Sequence, residues 1–153
     1  LTGAETVIDA YCGTGTIGLV AARRGAARVI CVDSVPSDIR DAANNARHNG
    51  VENAEFVTQD ATAFMKELAA SEERPQPLVL LMDPPRAGST PEFLEAATSL
   101  APERIVYISC NPATQARDVR QLVESGYEVR AVRPVDMFPH TKHVETVVAL
   151  SRR

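Results

Sequence analysis

The cysteine at position 110 occupies a place where a thiol can act as a nucleophile. A strand-like run, Ile105–Ser109, ends directly before Cys110, and the next two residues, Asn111 and Pro112, are favoured at the start of a helix. The partial positive charge at a helix N-terminus lowers the pKa of a nearby thiol and increases its thiolate fraction. We therefore predict that Cys110 is a nucleophile, whereas Cys31, inside a strand, fits a buried structural cysteine.

Two carboxylates belong to segments that should approach this thiol. Asp83 opens the stretch DPPRAG directly after the apolar run Leu78–Met82, which places it at the carboxyl edge of a parallel sheet, where ligands bind. Glu145 lies near the start of the last strand, and an antiparallel last strand would return it to that edge. Desolvation there should raise the pKa of Glu145 towards that of a useful general base, a role for which His140 and His143 are alternatives.

A glycine-rich turn between the first strand and the first helix predicts a nucleoside ligand. Residues 13–18 read GTGTIG and satisfy G-x-G-x-x-G, and Asp33 follows at the spacing of a ribose-binding acid, so NAD has to be considered. Asp9 would repel a pyrophosphate, but it suits the sulfonium and ammonium groups of S-adenosylmethionine (SAM), which we favour. Asp60, after the third strand, is placed to reach the adenine edge, or it is only a cap.

The pattern around these residues alternates between strands and helices. Five apolar runs are each followed by a helical pattern, and two further strands are joined by a loop. This order predicts one α/β layered domain with helices on both faces of a seven-stranded, mostly parallel sheet whose last strand is antiparallel. The predicted strands are Thr6–Ala10, Arg28–Val32, Glu55–Thr58, Leu78–Met82, Ile105–Ser109, Tyr127–Pro134 and Val144–Leu150.

Composition limits the classes of protein that fit. The 153 residues suit one domain, and a net charge of −4 argues against a domain that by itself holds nucleic acid tightly. Three widely spaced cysteines form neither a disulfide framework nor a metal site, which favours a reducing, cytoplasmic setting. No apolar run approaches the ~20 residues of a membrane span. Because the chain begins at Leu1 close to the first strand, we expect further domains upstream.

Taken together, these motifs resemble the catalytic domain of the SAM-dependent RNA uracil-C5 methyltransferases, which form 5-methyluridine in tRNA or 23S ribosomal RNA. The resemblance covers nearly the whole chain. It is carried by DAYCGTGTIGL at 9–19, DPPRAG at 83–88, VYISCNPATQARDV at 106–119 and VDMFPHTKHVETVVALSR at 135–152. The last two are highly specific in combination, whereas the glycine turn alone is not.

The resemblance implies a Rossmann-like class I methyltransferase fold, SAM as cofactor and an RNA substrate. It assigns the nucleophile to Cys110, the catalytic base to Glu145 and a place near the reacting centre to Asp83, with no metal. Members of the family have upstream parts, often an OB-like RNA-binding domain, and some carry an iron–sulfur cluster. The cofactor contacts predicted from the turn or implied by the family are Asp9, Tyr11, Gly13, Thr16, Asp33, Asp60 and Asp83, and the candidate phosphate contacts are Arg86, Arg117, Arg120 and Lys142.

Two other functions agree with parts of the pattern. An N-methyltransferase acting on an amino group would also use an Asp-Pro-Pro loop at the sheet edge, but it needs no thiol. A non-catalytic SAM-binding module would need only the glycine turn and Asp33. Sensitivity to iodoacetamide that the substrate relieves distinguishes the first alternative, and methyl transfer by the intact protein excludes the second.

Overall fold

A computed structural model describes residues 1–137, 139–141 and 144–153. Within this part the longest helices have 13 residues, and no helix is long and apolar enough to cross a membrane. The elements in chain order are β1 (Thr6–Ala10), α1 (Thr16–Arg23), β2 (Arg28–Asp33), α2 (Pro36–His48), β3 (Ala54–Thr58), α3 (Ala61–Ala70), β4 (Leu78–Met82), α4 (Pro91–Ser99), β5 (Arg104–Ser109), α5 (Pro112–Glu124), β6 (Tyr127–Val135) and β7 (Glu145–Arg152).

The seven strands form one sheet in the order β3-β2-β1-β4-β5-β7-β6. The neighbours from β3 to β5 are parallel, and β7 is antiparallel to both β5 and β6. The strand order reverses between β1 and β4, so the loops that follow these two strands diverge and leave a crevice at the carboxyl edge. The predicted fold, a mostly parallel seven-stranded sheet with an antiparallel last strand, is confirmed.

Successive side chains of the central strands point to opposite faces of the sheet, and they form two hydrophobic cores, one on each face. In β4, Leu78, Leu80 and Met82 pack into the core shared with α3, α4 and α5, while Val79 and Leu81 pack into the core shared with α1 and α2. Every residue of β4 is buried, as expected of a parallel strand covered on both faces. The continuous apolar run LVLLM is therefore explained by two helical layers rather than one.

The last hairpin differs in length from the sequence prediction. The run Tyr127–Pro134 was expected to form β6, but the strand extends to Val135, and β7 runs through charged Arg152 instead of stopping at Leu150. The ladder explains this extension, because Tyr127 pairs with Arg152 and Val135 pairs with Glu145 across the two strands. Cross-strand pairing thus overrides the polar character of the strand ends and makes Glu145 the first residue of β7.

Candidate active site

A cleft of about 820 Å³ lies at the carboxyl edge of the sheet, across the crevice between β1 and β4. Its walls come from the turn after β1, the end of β2, the loops after β4 and β5, and the segment that leads into β7. Its size falls in the usual range for small-molecule sites. The residues that line it are Tyr11, Gly13, Ile17, Asp33, Ser34, Val35, Asp38, Asp83, Pro84, Pro85, Ile108, Cys110, Met137 and Glu145.

Strand register brings the thiol and one carboxylate together. In the antiparallel pair β5 and β7, Ser109 lies opposite Thr146; Cys110 directly follows Ser109 after the end of β5, and Glu145 directly precedes Thr146 as the first residue of β7. Residues opposite each other in an antiparallel pair have Cα atoms about 4.5 to 5.5 Å apart and point to the same face. Cys110 and Glu145 are both partly buried and both line the cleft.

Asp83 joins them from the other side, because it follows β4, the parallel neighbour of β5. Its pKa is raised, first by loss of surrounding water at the sheet edge and then by the negative charge of Glu145. The negative charge of Glu145 therefore acts on Asp83, and the two carboxylates repel each other. The three residues predicted to do the chemistry, one from each of three segments far apart in the chain, therefore share one cleft.

The helix after Cys110 begins as the sequence predicts. Asn111 is the N-cap, and its side-chain oxygen accepts a hydrogen bond from the Ala113 N–H at 3.2 Å, while Pro112 occupies the first turn. The Ser109 hydroxyl accepts from the Asn111 N–H at 3.0 Å, which tightens the connection from strand to helix. The thiol consequently lies in a short, well-bonded turn at the N-terminal end of a 13-residue helix.

The cofactor side of the cleft is built by the glycine turn and the end of β2. Tyr11 adopts a left-handed backbone conformation (φ 64°), and its ring packs against Phe93 at a centroid distance of 5.2 Å. The Asp33 carboxylate accepts the N–H groups of Gly13 at 2.9 Å and Val35 at 3.0 Å, one at each oxygen. Because a carboxylate has about four acceptor positions, Asp33 keeps capacity for further donors in the cleft.

Asp9 lies beneath this turn rather than in the cleft wall. It is 1% exposed, and its Oδ2 accepts the Gly18 N–H at 2.7 Å, while its Oδ1 is buried with no hydrogen-bond partner among the described residues. A Cβ at Gly18 would lie 2.8 Å from both Asp9 Oδ2 and Cys31 Sγ, so only glycine permits this close approach of α1. Burial raises the pKa of Asp9 to about 7; the Gly18 N–H lowers it, and the charges of Asp83 and Asp33 raise it.

Asp9 should make the ligand-free protein less stable as the pH rises. Between its ordinary value of 3.8 and the folded value of about 7, the folded state holds a proton that the unfolded state has lost, so stability falls with pH through this window. We expect Asp9→Asn to remove most of that slope, about 1.4 kcal/mol per pH unit at most. Urea unfolding at pH 5 and pH 8 measures it, with the exposed Asp41→Asn as control. If the free energy of unfolding of Asp9→Asn changed with pH as much as that of the wild type, the raised pKa of Asp9 would be contradicted.

Several other predicted site residues lie elsewhere. Thr16 is exposed and borders a separate, smaller pocket between α1 and α2. Asp60 is exposed and caps α3, accepting the Ala63 N–H at 2.9 Å, and it does not line the cleft. His140 does not line the cleft either. The alternative base His143 and the phosphate contact Lys142 lie outside the described residues.

Two of the arginines suggested as phosphate contacts are engaged within the protein. Arg117 binds the Asp118 carboxylate and donates to the backbone carbonyls of Ala87 and Ser89. Arg120 pairs with Glu124 one helical turn away at 3.0 Å. Arg86, which is exposed in the loop after β4, therefore carries the phosphate-contact hypothesis among the described residues.

The sequence reasoning missed part of the cleft wall. Val35, Ile108 and Met137 supply apolar surface, and Asp38 adds a further carboxylate from the first turn of α2. Val35 and Met137 are 42% and 62% exposed, so they present apolar surface to the cleft. Asp38 had a sequence signal, because it lies in the first turn of the helix that follows Asp33.

Comparison with known proteins agrees with the motifs. The family described as tRNA (uracil-5-)-methyltransferase matches residues 2–153. A protein of Halalkalibacterium halodurans named "uncharacterized RNA methyltransferase" is 49% identical over 150 residues, which cover 98% of this chain and 32% of that protein. A protein of the same name from Bacteroides thetaiotaomicron is 48% identical over 156 residues, and the match covers 100% of this chain and 33% of that protein. The chain thus spans about a third of the length of these relatives.

Solved structures resemble the chain over its whole fold. The tRNA (uracil-54, C5)-methyltransferase of Pyrococcus abyssi, determined in complex with S-adenosyl-L-homocysteine, superposes with a TM-score of 0.80 and 38% identity, covering 95% of this chain and 34% of that one. An rRNA methylase from Streptococcus thermophilus superposes with a TM-score of 0.75 at 13% identity, covering 99% and 89%. The second likeness concerns the fold alone, which is that of a Rossmann-like class I methyltransferase.

Proposed function

Because the chain belongs to the tRNA (uracil-5-)-methyltransferase family, we propose that it methylates C5 of a uridine in tRNA or ribosomal RNA, using SAM and a covalent adduct through Cys110. The observation that carries this proposal is the shared cleft of one thiol and two carboxylates. An amino group is already nucleophilic, so N-methylation would give no reason for a thiol in the same cleft as Glu145. A binding module would give no reason for either group.

The cleft fits SAM better than a dinucleotide. Asp33, Asp38, Asp83 and Glu145 line the cleft and make it acidic, which suits a ligand with a sulfonium and an ammonium group and opposes a pyrophosphate. The spare acceptor capacity of Asp33 suits the two ribose hydroxyls, and the apolar side chains of Val35 and Ile17 suit a planar base. When bound, SAM supplies an electrophilic methyl group; the remaining chemistry falls to side chains of this chain.

The proposed reaction solves the weak nucleophilicity of uracil C5. The Cys110 thiolate forms a bond to C6, the C5–C6 π electrons move into an enolate, and C5 becomes electron-rich enough to accept the methyl group. Glu145 then takes the proton from C5, the electrons restore the C5–C6 double bond, and the C6–S bond breaks to return the thiolate. Asp83 is proposed to hold the edge of the base and the donor in line.

The RNA must present a base that has left its stack. Cys110 and Glu145 face a cleft, so a uridine within a helix cannot reach them without being extruded, and loops or unpaired positions are the favoured targets. Arg86 is proposed to bind a phosphate next to the extruded nucleotide. Because the net charge of this chain is −4, we propose that an upstream RNA-binding part of a longer protein supplies most of the affinity for RNA.

The proposal predicts that methyl transfer and loss of the C5 hydrogen occur together. We expect the protein, in the longest form that its gene encodes, to release one tritium from [5-³H]uridine for each methyl group it transfers. The substrates are unmodified tRNA and 23S rRNA transcripts, with methyl-labelled SAM in parallel reactions. The ratio of released tritium to transferred methyl groups is the measurement.

The other functions give different ratios. Methyl transfer without tritium release would assign the enzyme to N- or O-methylation and overturn the uracil-C5 proposal. Binding of SAM with neither transfer nor release on both RNAs would favour a binding module. A transcript carrying 5-methyluridine at every uridine serves as the matched control, because it offers the same fold with no C5 hydrogen to remove.

A further inference from the structure

The loop after Asp83 is fastened to the helix after Cys110 by a buried carboxylate that the proposed reaction does not use. Asp118, on α5, is 1% exposed. Its Oδ2 accepts the Tyr107 hydroxyl at 2.7 Å and the Ser89 N–H at 2.8 Å, and its Oδ1 accepts Nε of Arg117 at 2.9 Å. One carboxylate thus joins β5, α5 and the loop that begins at Asp83.

Further hydrogen bonds hold the same loop along its length. The Arg86 carbonyl accepts from the Asn111 amide and from the Thr114 hydroxyl, both at 3.1 Å. The Arg117 guanidinium donates to the Ala87 carbonyl at 3.0 Å and to the Ser89 carbonyl at 3.3 Å. These donors lie at the N-cap and in the first two turns of α5, directly after Cys110. The two segments that carry the reacting groups are therefore bonded to each other, rather than only to the sheet.

The loop has the shape that this attachment requires. Gly88 adopts a left-handed conformation (φ +81°), and a Cβ there would lie 2.6 Å from Asp118 Oδ2 and 2.7 Å from the Arg117 guanidinium. Its N–H donates to the Pro85 carbonyl at 2.8 Å and closes a turn. Pro84 separates this turn from Asp83, and Pro85 begins the turn. Both prolines have a fixed φ, so the connection between the fastened segment and the carboxylate is stiff.

We propose that Asp118 is a positioning residue, which fixes the Asp83 carboxylate relative to the Cys110 thiol by binding the loop after β4 to the helix after β5. This inference rests on the proposed function, because it concerns the alignment of that reaction. A misplacement of about 1 Å at a reacting centre costs on the order of 10²-fold in rate. A side chain that touches neither substrate nor cofactor can therefore control turnover.

The chain offers a matched pair of tyrosines for the test. Tyr107 and Tyr127 are buried to 0% and 1% exposure, and each hydroxyl donates one hydrogen bond. Tyr107 donates to Asp118 at 2.7 Å, whereas Tyr127 donates to the Pro102 carbonyl at 2.9 Å, at the opposite edge of the sheet. Conversion of either tyrosine to phenylalanine removes one hydroxyl from a buried site. Only the first removal weakens the attachment of the loop.

We expect Tyr107→Phe to lower kcat about 3- to 10-fold and Asp118→Asn about 10- to 100-fold, with SAM affinity changed less than twofold. SAM affinity is preserved because Asp33 and the glycine turn are untouched. Tyr127→Phe should lower the melting temperature about as much as Tyr107→Phe and leave kcat unchanged. The first measurement is kcat, with KM for SAM, at saturating RNA. SAM binding by calorimetry and thermal unfolding complete the set, all on the longest form that the gene encodes.

Each outcome has one meaning. Equal kcat per folded molecule in Tyr107→Phe and Tyr127→Phe would overturn the positioning role and leave Asp118 a structural residue. A fall in SAM affinity that parallels the fall in kcat would overturn it too, because it would indicate distortion of the whole cleft. If the wild-type protein shows no C5 methylation, the proposed function itself fails, and this result is independent of the variants.

Discussion

Cys110→Ala is expected to abolish covalent protein–RNA complexes and to lower methylation by at least about 10³-fold. The reason is that C5 gains its reactivity only after the thiolate has added to C6, so no other residue can substitute for the missing bond. Cys110→Ser should lose as much, because a hydroxyl at this position stays protonated near neutral pH. The assays are methyl transfer from labelled SAM and denaturing electrophoresis of protein with RNA.

Cys31 provides the control for Cys110. Cys31 is fully buried in β2 and does not line the cleft. Cys31→Ala should lower the melting temperature, because it leaves a small cavity, yet retain turnover per folded molecule. Iodoacetamide should inactivate the wild type and Cys31→Ala alike, and bound RNA should slow the inactivation. Near-wild-type turnover in Cys110→Ala would exclude covalent catalysis by this thiol.

Glu145→Gln is expected to trap the reaction halfway. The thiolate can still add and the methyl group can still transfer, but release of the thiolate requires removal of the C5 proton. Turnover should fall about 10²- to 10⁴-fold, while methylated covalent complexes accumulate. Methyl-labelled SAM measures this directly, because the label should remain in the protein–RNA band on a denaturing gel. Glu128→Gln, on the exposed start of β6, is the control and should do neither.

Asp83 is the competing candidate for the base. It shares the cleft with Glu145, and the pKa of Asp83 is raised by partial desolvation and by the charge of Glu145. If Asp83→Asn accumulates methylated complexes and Glu145→Gln does not, the two roles must be exchanged. We expect Asp83→Asn instead to slow formation of the complex, since its proposed role is alignment. The rate of complex formation in single-turnover reactions separates the two assignments.

Much of this molecule follows from local sequence. The continuous apolar run of β4, the helix start at Asn111 and Pro112, and the glycine turn each depend on residues close together in the chain, and the structure confirms them. The direction of the last strand follows as well, because a strand reached without a crossover helix is expected to be antiparallel. These features allowed Cys110, Asp83 and Glu145 to be assigned to one edge of the sheet before their surroundings were known.

Other features depend on contacts between distant segments, which no local pattern encodes. Asp9 and Asp60 both follow from the same motif reasoning, yet the structure buries Asp9 beneath Gly18 and leaves Asp60 exposed as a helix cap. Asp118 lies within the motif at 106–119, but the motif does not reveal its role, because its partners Ser89 and Tyr107 lie 29 and 11 residues away. Local residue patterns are therefore enough to predict the strands, the turns and the sheet edge at which the reactive groups meet. Which polar side chains face the cleft, and which bind other parts of the protein instead, depends on the folded chain, because hydrogen bonding and desolvation depend on neighbours in space.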